Sequence, residues 1–373
     1  MKEPKIRFKG FSGEWKECTL SNIITVNSGK DYKHLEKGTI PVYGTGGYML
    51  SVNTSLSEHD AIGIGRKGTI DKPQYLKAPF WTVDTLFFLT TNNGDNLDFL
   101  FNLSQNIRWQ KYDESTGVPS LSKNNIDKIK TCIPNKFEQQ SVASFFTSLD
   151  AQISASTSRL ASLKQMKAAS LQAMFPQEGE TVPKVRFKGF DGEWKAVKLG
   201  EIFSERNESN INGEMLSITQ HNGIIKASEN GRFDNSNSDK SGYKVVMVGD
   251  IAYNSMRMWQ GASGYSPYEG IVSPAYTVII PQEGIHSPFF AYLFKNESII
   301  KTFRLHSQGL TSDTWNLKFP AFSKIEVLFP MNIDEQKQIA SFFTSLDRQI
   351  ALHTQRLEKL KQIKAACLDK MFV

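Results

Sequence analysis

Residues 63–68, Gly63-Ile64-Gly65-Arg66-Lys67-Gly68, fit the spacing of a phosphate-binding glycine loop. Such a loop works because glycines let backbone amides approach a pyrophosphate at a helix N-terminus. Here strand-like text lies on both sides, and no acidic residue stands where a ribose would be held. Glu14-Trp15-Lys16 and Glu193-Trp194-Lys195 look like half of a nuclease metal site without the partnering Pro-Asp. A Walker lysine motif is absent, and so is the Asn/Asp-Pro-Pro-Tyr/Phe motif of amino-methyltransferases, of which Ser287-Pro288-Phe289-Phe290 is a poor shadow. His34, His59, His221, His286, His306 and His353 show no ligand spacing with cysteine or with one another. The expectation is a chain with no catalytic centre, no metal and no cofactor of its own.

Binding chemistry is better represented. Arg66 and Lys67 occupy a glycine-flanked turn after a strand, and Arg257 holds the matching place in a second region. An arginine there can fork onto guanine O6 and N7 or clamp a phosphate. Tyr43, Tyr253, Asn254 and Trp259 can stack on bases or read their edges, while Lys111 and Arg304 at helix ends can meet phosphates. Thr45, Ser120 and Lys123 in the first region, and Gln308 and Thr311 in the second, complete the candidate contacts.

The composition permits this without demanding it. Across 373 residues, 44 Lys and Arg face 38 Asp and Glu, a mild excess that allows a polyanionic partner. With 39% apolar and 22% charged residues the chain has the profile of a folded protein, long enough for two cores. Cys18, Cys132 and Cys367 are scattered and odd in number, which suits a reducing cytoplasm better than a disulfide framework. The start lacks the apolar stretch of a signal peptide, and no apolar run is long enough for a membrane span.

The elements that must position these residues come from a duplication. PKIRFKGFSGEWKECTL (4–20) and PKVRFKGFDGEWKAVKL (183–199) match at 12 of 17 positions. Residues 138–175, opening EQQSVASFFTSLD, and 335–372, opening EQKQIASFFTSLD, match at 24 of 38. The latter pair reads as long helices. Phe146, Leu149, Ile153, Leu160 and Leu163 form a seam with alternating three- and four-residue steps, and Phe343, Leu346, Ile350, Leu357 and Leu360 repeat it. Beyond it the seam drifts to Met166 and Leu171, or Ile363 and Leu368. Glu138 and Glu335 near the starts suit the helix dipole. Thirty-eight residues give roughly 57 Å of helix, so the two copies are expected to pack on each other, antiparallel packing implying a pseudo-two-fold axis.

Between the repeats, 21–132 and 201–328 share no evident identity yet run through the same elements. Strands at 61–70 and 79–90 correspond to strands at 250–259 and 270–280. Single amphipathic helices at 96–112 and 288–305 follow, then Ser-x-Gly turns at Ser115/Gly117 and Ser307/Gly309. The expected fold is α+β. Mixed α/β domains at 1–137 and 176–334 are joined by antiparallel coiled-coil helices at 138–175 and 335–373. Two readings stay open: two heads for two DNA targets, or a coiled-coil scaffold without sequence-specific DNA binding.

The duplicated RFKGF-x-GEWK boxes, the twin EQ-x-x-x-ASFFTSLD helices, the GDIAYNSMRMWQG…GIVSPAY run and the STG/SQG turns together resemble the specificity (S) subunit of type I restriction-modification enzymes across essentially the whole chain. The resemblance implies two target-recognition domains, each reading half of a bipartite, asymmetric DNA site. The helices would set the spacing and dock two modification (M) subunits for adenine methylation. With two restriction (R) subunits the complex would translocate and cleave DNA. On this reading S-adenosylmethionine, ATP and Mg2+ belong to the partner subunits.

Overall fold

A computed structural model describes residues 2–220, 223–229 and 240–373. His221 lies outside the described residues. The chain folds as two compact units, the first built from two separate stretches and the second from one. The first comprises 1–158 with 354–373, the second 159–353. The boundaries between the units fall inside the long helices, Lys136–Ala173 and Ile333–Met371. Each unit takes the start of one long helix and the end of the other into its core. No helix among the described residues is long and apolar enough to cross a membrane.

In the first unit a four-stranded antiparallel sheet runs in the order Ile24–Ser28, Leu86–Thr91, Ala61–Gly65, Gln74–Leu76. A smaller sheet pairs Lys37–Gly44 with Gly47–Val52 and, in parallel, with Trp81–Thr82. In the second unit the corresponding order is Phe203–Glu205, Tyr276–Pro281, Ile251–Asn254, Ser263–Tyr265. Two regions without evident identity thus build the same four-strand frame. Both turns carrying the candidate arginines follow the same central strand.

The repeated boxes anchor the long helices. In the first unit Arg7 forks onto Glu138 at 2.7 and 2.8 Å, and the Trp15 indole donates to the same carboxylate at 3.3 Å. In the second, Arg186 and Trp194 hold Glu335 with the same three distances. Both glutamates are only 1% exposed. A carboxylate that deeply buried is tolerable only when its lone pairs are all engaged. The next residue completes the joint: Gln139 accepts from the backbone of Asn96, and Gln336 from that of His286. Glu14, Lys16, Glu193 and Lys195 stay exposed, so the boxes are packing turns.

Antiparallel helix pairing is visible inside each unit. In the first, Asp150 meets Lys364 at 2.6 Å and the Phe146 ring lies 5.9 Å from Phe372. In the second, Asp347 meets Lys167 at 2.5 Å and Phe343 stacks on Phe175 at 6.0 Å. Among the seam residues, Phe146, Leu149, Leu163, Phe343, Leu346 and Leu357 are buried, and Ile153, Leu160, Ile350 and Leu360 are half-buried. The extrapolation past Leu163 and Leu360 needs correction. Leu171 and Leu368 do pack on the cores, but Met166 and Ile363 are exposed. The residues that finish each core are Met174 and Phe175, or Met371 and Phe372.

Both amphipathic segments are broken where one helix was expected. The first ends with Leu97–Asn106, because Ile107 turns extended and Trp109, in a short 3-10 turn, donates its indole N–H back to Ser104 O at 2.8 Å. The second splits into Ser287–Leu293 and Glu297–His306 at Asn296, whose side chain caps the latter helix through Ser298 N. Asn296 also donates to Leu171 O at 2.7 Å, which fastens the break to a long helix.

Candidate nucleic-acid interface

In the first unit the turn after Ala61–Gly65 is tied to two other loops. Arg66 O accepts from Leu121 N, Gly68 N donates to Pro119 O, and Lys67 bridges Ser120. Arg66 N itself donates to Thr85 O at 2.8 Å. The glycine spacing that mimics a phosphate loop has a packing cause. A side chain on Gly65 would sit 2.0 Å from Thr69 O, and Gly68 adopts φ 92°. Gln74 donates to Gly44 O and Thr45 O, bringing the Thr45 hairpin to this corner. Gln110 donates to Asp71, which brings the Lys111 turn there as well. Arg66, Lys67, Lys111 and Lys123 are exposed, Thr45 and Ser120 half-buried. Tyr43 is half-buried and meets Tyr48 edge-on at 6.5 Å. The Arg66 guanidinium rests 5.8 Å from the Phe87 ring, a mild orienting contact.

The loop at 113–120 is braced by one carboxylate. One Asp113 oxygen accepts from Ser115 N, Ser115 Oγ and Ser120 N. The backbone amides of Ser120 and Ser115 hold this carboxyl below the usual aspartate range.

In the second unit Arg257 precedes a 3-10 turn, Met258–Gln260, and is exposed. Asn254 is half-buried and its side-chain oxygen accepts from Met256 N, shaping the turn. Trp259 is half-buried, donates to Met256 O, and lies edge-on to Trp315 at 5.2 Å. Arg304 stacks over the same Trp315 at 5.1 Å. Leu317 N donates to Ser255 O, and Gln308 pairs with Asn316 through two backbone bonds of 3.0 and 2.8 Å. Trp259 and Arg304 therefore meet at a tryptophan that sequence reasoning missed, and Gln308 is paired to the residue that follows it. Its signal was weak, a single aromatic in the polar stretch after the SQG turn.

Tyr253 is a correction. Its side chain is fully buried and stacked on Phe322 at 5.1 Å, where no base can reach it. Strand alternation explains this: Asn254 faces the turn, so Tyr253 faces the core.

Lys295 was also not legible. It is largely buried, and burial lowers its pKa to about 8. Its ammonium donates to Gln220 O at 2.9 Å, Ser263 O at 2.8 Å, and Gly261 O. Because Ala262 N bonds Arg257 O, this lysine fixes the turn that presents Arg257. Lys295→Met should leave those carbonyls unsatisfied at a cost of about 1–3 kcal/mol. The expected readout is faster amide exchange at Gly261, Ala262 and Ser263 with the first unit unchanged; unaltered exchange there would remove Lys295 from this role.

The comparisons with known proteins fit this arrangement. The family model described as "Type I restriction modification DNA specificity domain" matches residues 12–165 and 191–362. The fold is similar to that of the type I restriction-modification system S subunit from M. genitalium, with a TM-score of 0.67 at 14% identity over 100% of this chain and 99% of that one. The HsdS subunit from Thermoanaerobacter tengcongensis gives a TM-score of 0.46 at 15% identity, covering 100% and 99%. No curated protein matches the chain by sequence. With the family model matched twice, once on each half of the repeat, the chain belongs to the type I restriction-modification DNA specificity family.

Proposed function

We propose that the chain is the non-catalytic, sequence-reading component of a type I restriction-modification complex. Each unit reads one half of a bipartite, asymmetric DNA site. The long helices set the separation and dock two modification subunits for adenine methylation; with two restriction subunits the complex cleaves DNA using ATP. S-adenosylmethionine, ATP and Mg2+ are assigned to those partners.

One observation carries the reading. Two units with the same strand frame present different loop sets in the same place, each centred on exposed arginine: Arg66 with Lys67 and Lys111, or Arg257 with Arg304 and Trp315. A shared frame with unlike surfaces is what two half-sites require, since direct readout depends on side chains at base edges. A net charge of only +6 fits a protein that shares its phosphate contacts with partners.

Methylome sequencing of a host carrying this chain and its modification subunit should reveal one two-part motif with a fixed gap. Arg257→Ala should then cost about 1–3 kcal/mol of binding and relax specificity in one half only. Equal loss at both halves would count against Arg257 as a reader. The absence of any enriched motif would favour the scaffold reading instead.

A further inference from the structure

The Ser-x-Gly turns carry a feature that base-edge reading does not use. The residue after each glycine is aliphatic and projects into solvent: Val118 is 64% exposed and Leu310 wholly so. Isolated exposed aliphatic residues are ordinary on protein surfaces. These two fall at the same step after the Ser-x-Gly in regions that otherwise share no evident sequence, each at the crest of a loop held stiff beneath it.

The second loop is closed at its base by the paired backbone bonds of Gln308 and Asn316. Inside it, Thr311 N donates to Thr314 Oγ1, and Thr314 N donates back to Thr311 O. Gly309 has φ 147°, and a side chain there would come within 2.6 Å of Thr314 O, so the bend beneath Leu310 is reserved for glycine. The first loop is fixed by Asp113 and by the Gly68 N bond to Pro119 O, directly beside Val118. Stiffness matters because a flexible tip would fold its aliphatic side chain back onto the protein.

Each loop has a cation near it. Lys67 bridges the residue next to Pro119, and Arg304 is held over Trp315 at the base of the second loop. An apolar point raised on a loop beside a cation matches the chemistry of a wedge that enters a stacked base step while its neighbour holds a phosphate. We infer that Val118 and Leu310 insert between base pairs, one in each half-site, and unstack a single step there. The inference rests on the DNA-reading function proposed above.

The test uses the full chain assembled with its modification subunit, on duplexes carrying the selected target. 2-Aminopurine is placed at successive positions through both halves. The wedge predicts a fluorescence increase at one step in each half when the complex binds. Leu310→Gly should abolish the increase in one half only and weaken binding about tenfold. Val118→Gly should do the same in the other half. An increase that survives both substitutions overturns the wedge. So does loss of subunit assembly with Leu310→Gly, which would make the tip a protein contact. If no duplex is selected at all, it is the DNA-reading function that fails, a result distinct from either.

Discussion

Exchanging Phe372 for alanine should destabilise the first unit by about 3–5 kcal/mol, although the residue lies more than 200 positions from every ring it packs against. Its ring sits 6.2 Å from Trp15, 5.4 Å from Phe99 and 5.9 Å from Phe146, drawing the box, the first amphipathic helix and the central helix together. Removing it opens a cavity that rigid helices on two sides cannot close. Hydrogen exchange resolved by residue is the suitable measurement. Protection should fall through 1–158 while the core of 159–353 keeps its own. A loss spread evenly over both units, or one under about 1 kcal/mol, would show that the last helix does not complete the first core.

Glu335→Ala should be comparably damaging in the second unit. It strands the Arg186 guanidinium and leaves the Trp194 indole without its acceptor. Breaking a buried pair on one side costs about 3–5 kcal/mol, because a charge remains with nothing to balance it. The discriminating variant is the double substitution Arg186→Met with Glu335→Met, which removes both charges. It should recover a large part of the loss, since apolar replacements of buried pairs are often neutral. If the double variant is as unstable as Glu335→Ala, packing of the box rather than charge balance holds the joint.

The frame was legible in the sequence because duplication made it so. Repeated text identified the boxes, the long helices and their seam, and an antiparallel pairing followed from two long apolar stripes that need cover. What those repeats do locally was not legible. Glu138 and Glu335 suit the helix dipole, but their partners stand 131 and 149 residues away, and spacing carries no information about such pairs. The helix breaks were hidden for a different reason. The apolar periodicity runs on past Ile107 and Asn296, while a local indole bond from Trp109 to Ser104 O and a distant bond from Asn296 to Leu171 O accompany the breaks. Among candidate contacts, exposed cations following a strand were readable from glycine flanks. Trp315 and Lys295 were not, since one acts by stacking and the other by reaching three carbonyls on two segments distant in sequence.

The same backbone hydrogen bond secures box to helix end in both units. Val185 N donates to Ala173 O in one, and Ile6 N donates to Lys370 O in the other. In the former the partners are linked by eleven residues of intervening polypeptide; in the latter they lie more than 360 positions apart. Covalent order is thus incidental to how either half is assembled. Were the loop at 176–182 opened and a segment of similar span introduced between residues 372 and 4, each half would keep its full set of contacts while the reading order of the molecule rotated by one half-turn of the repeat.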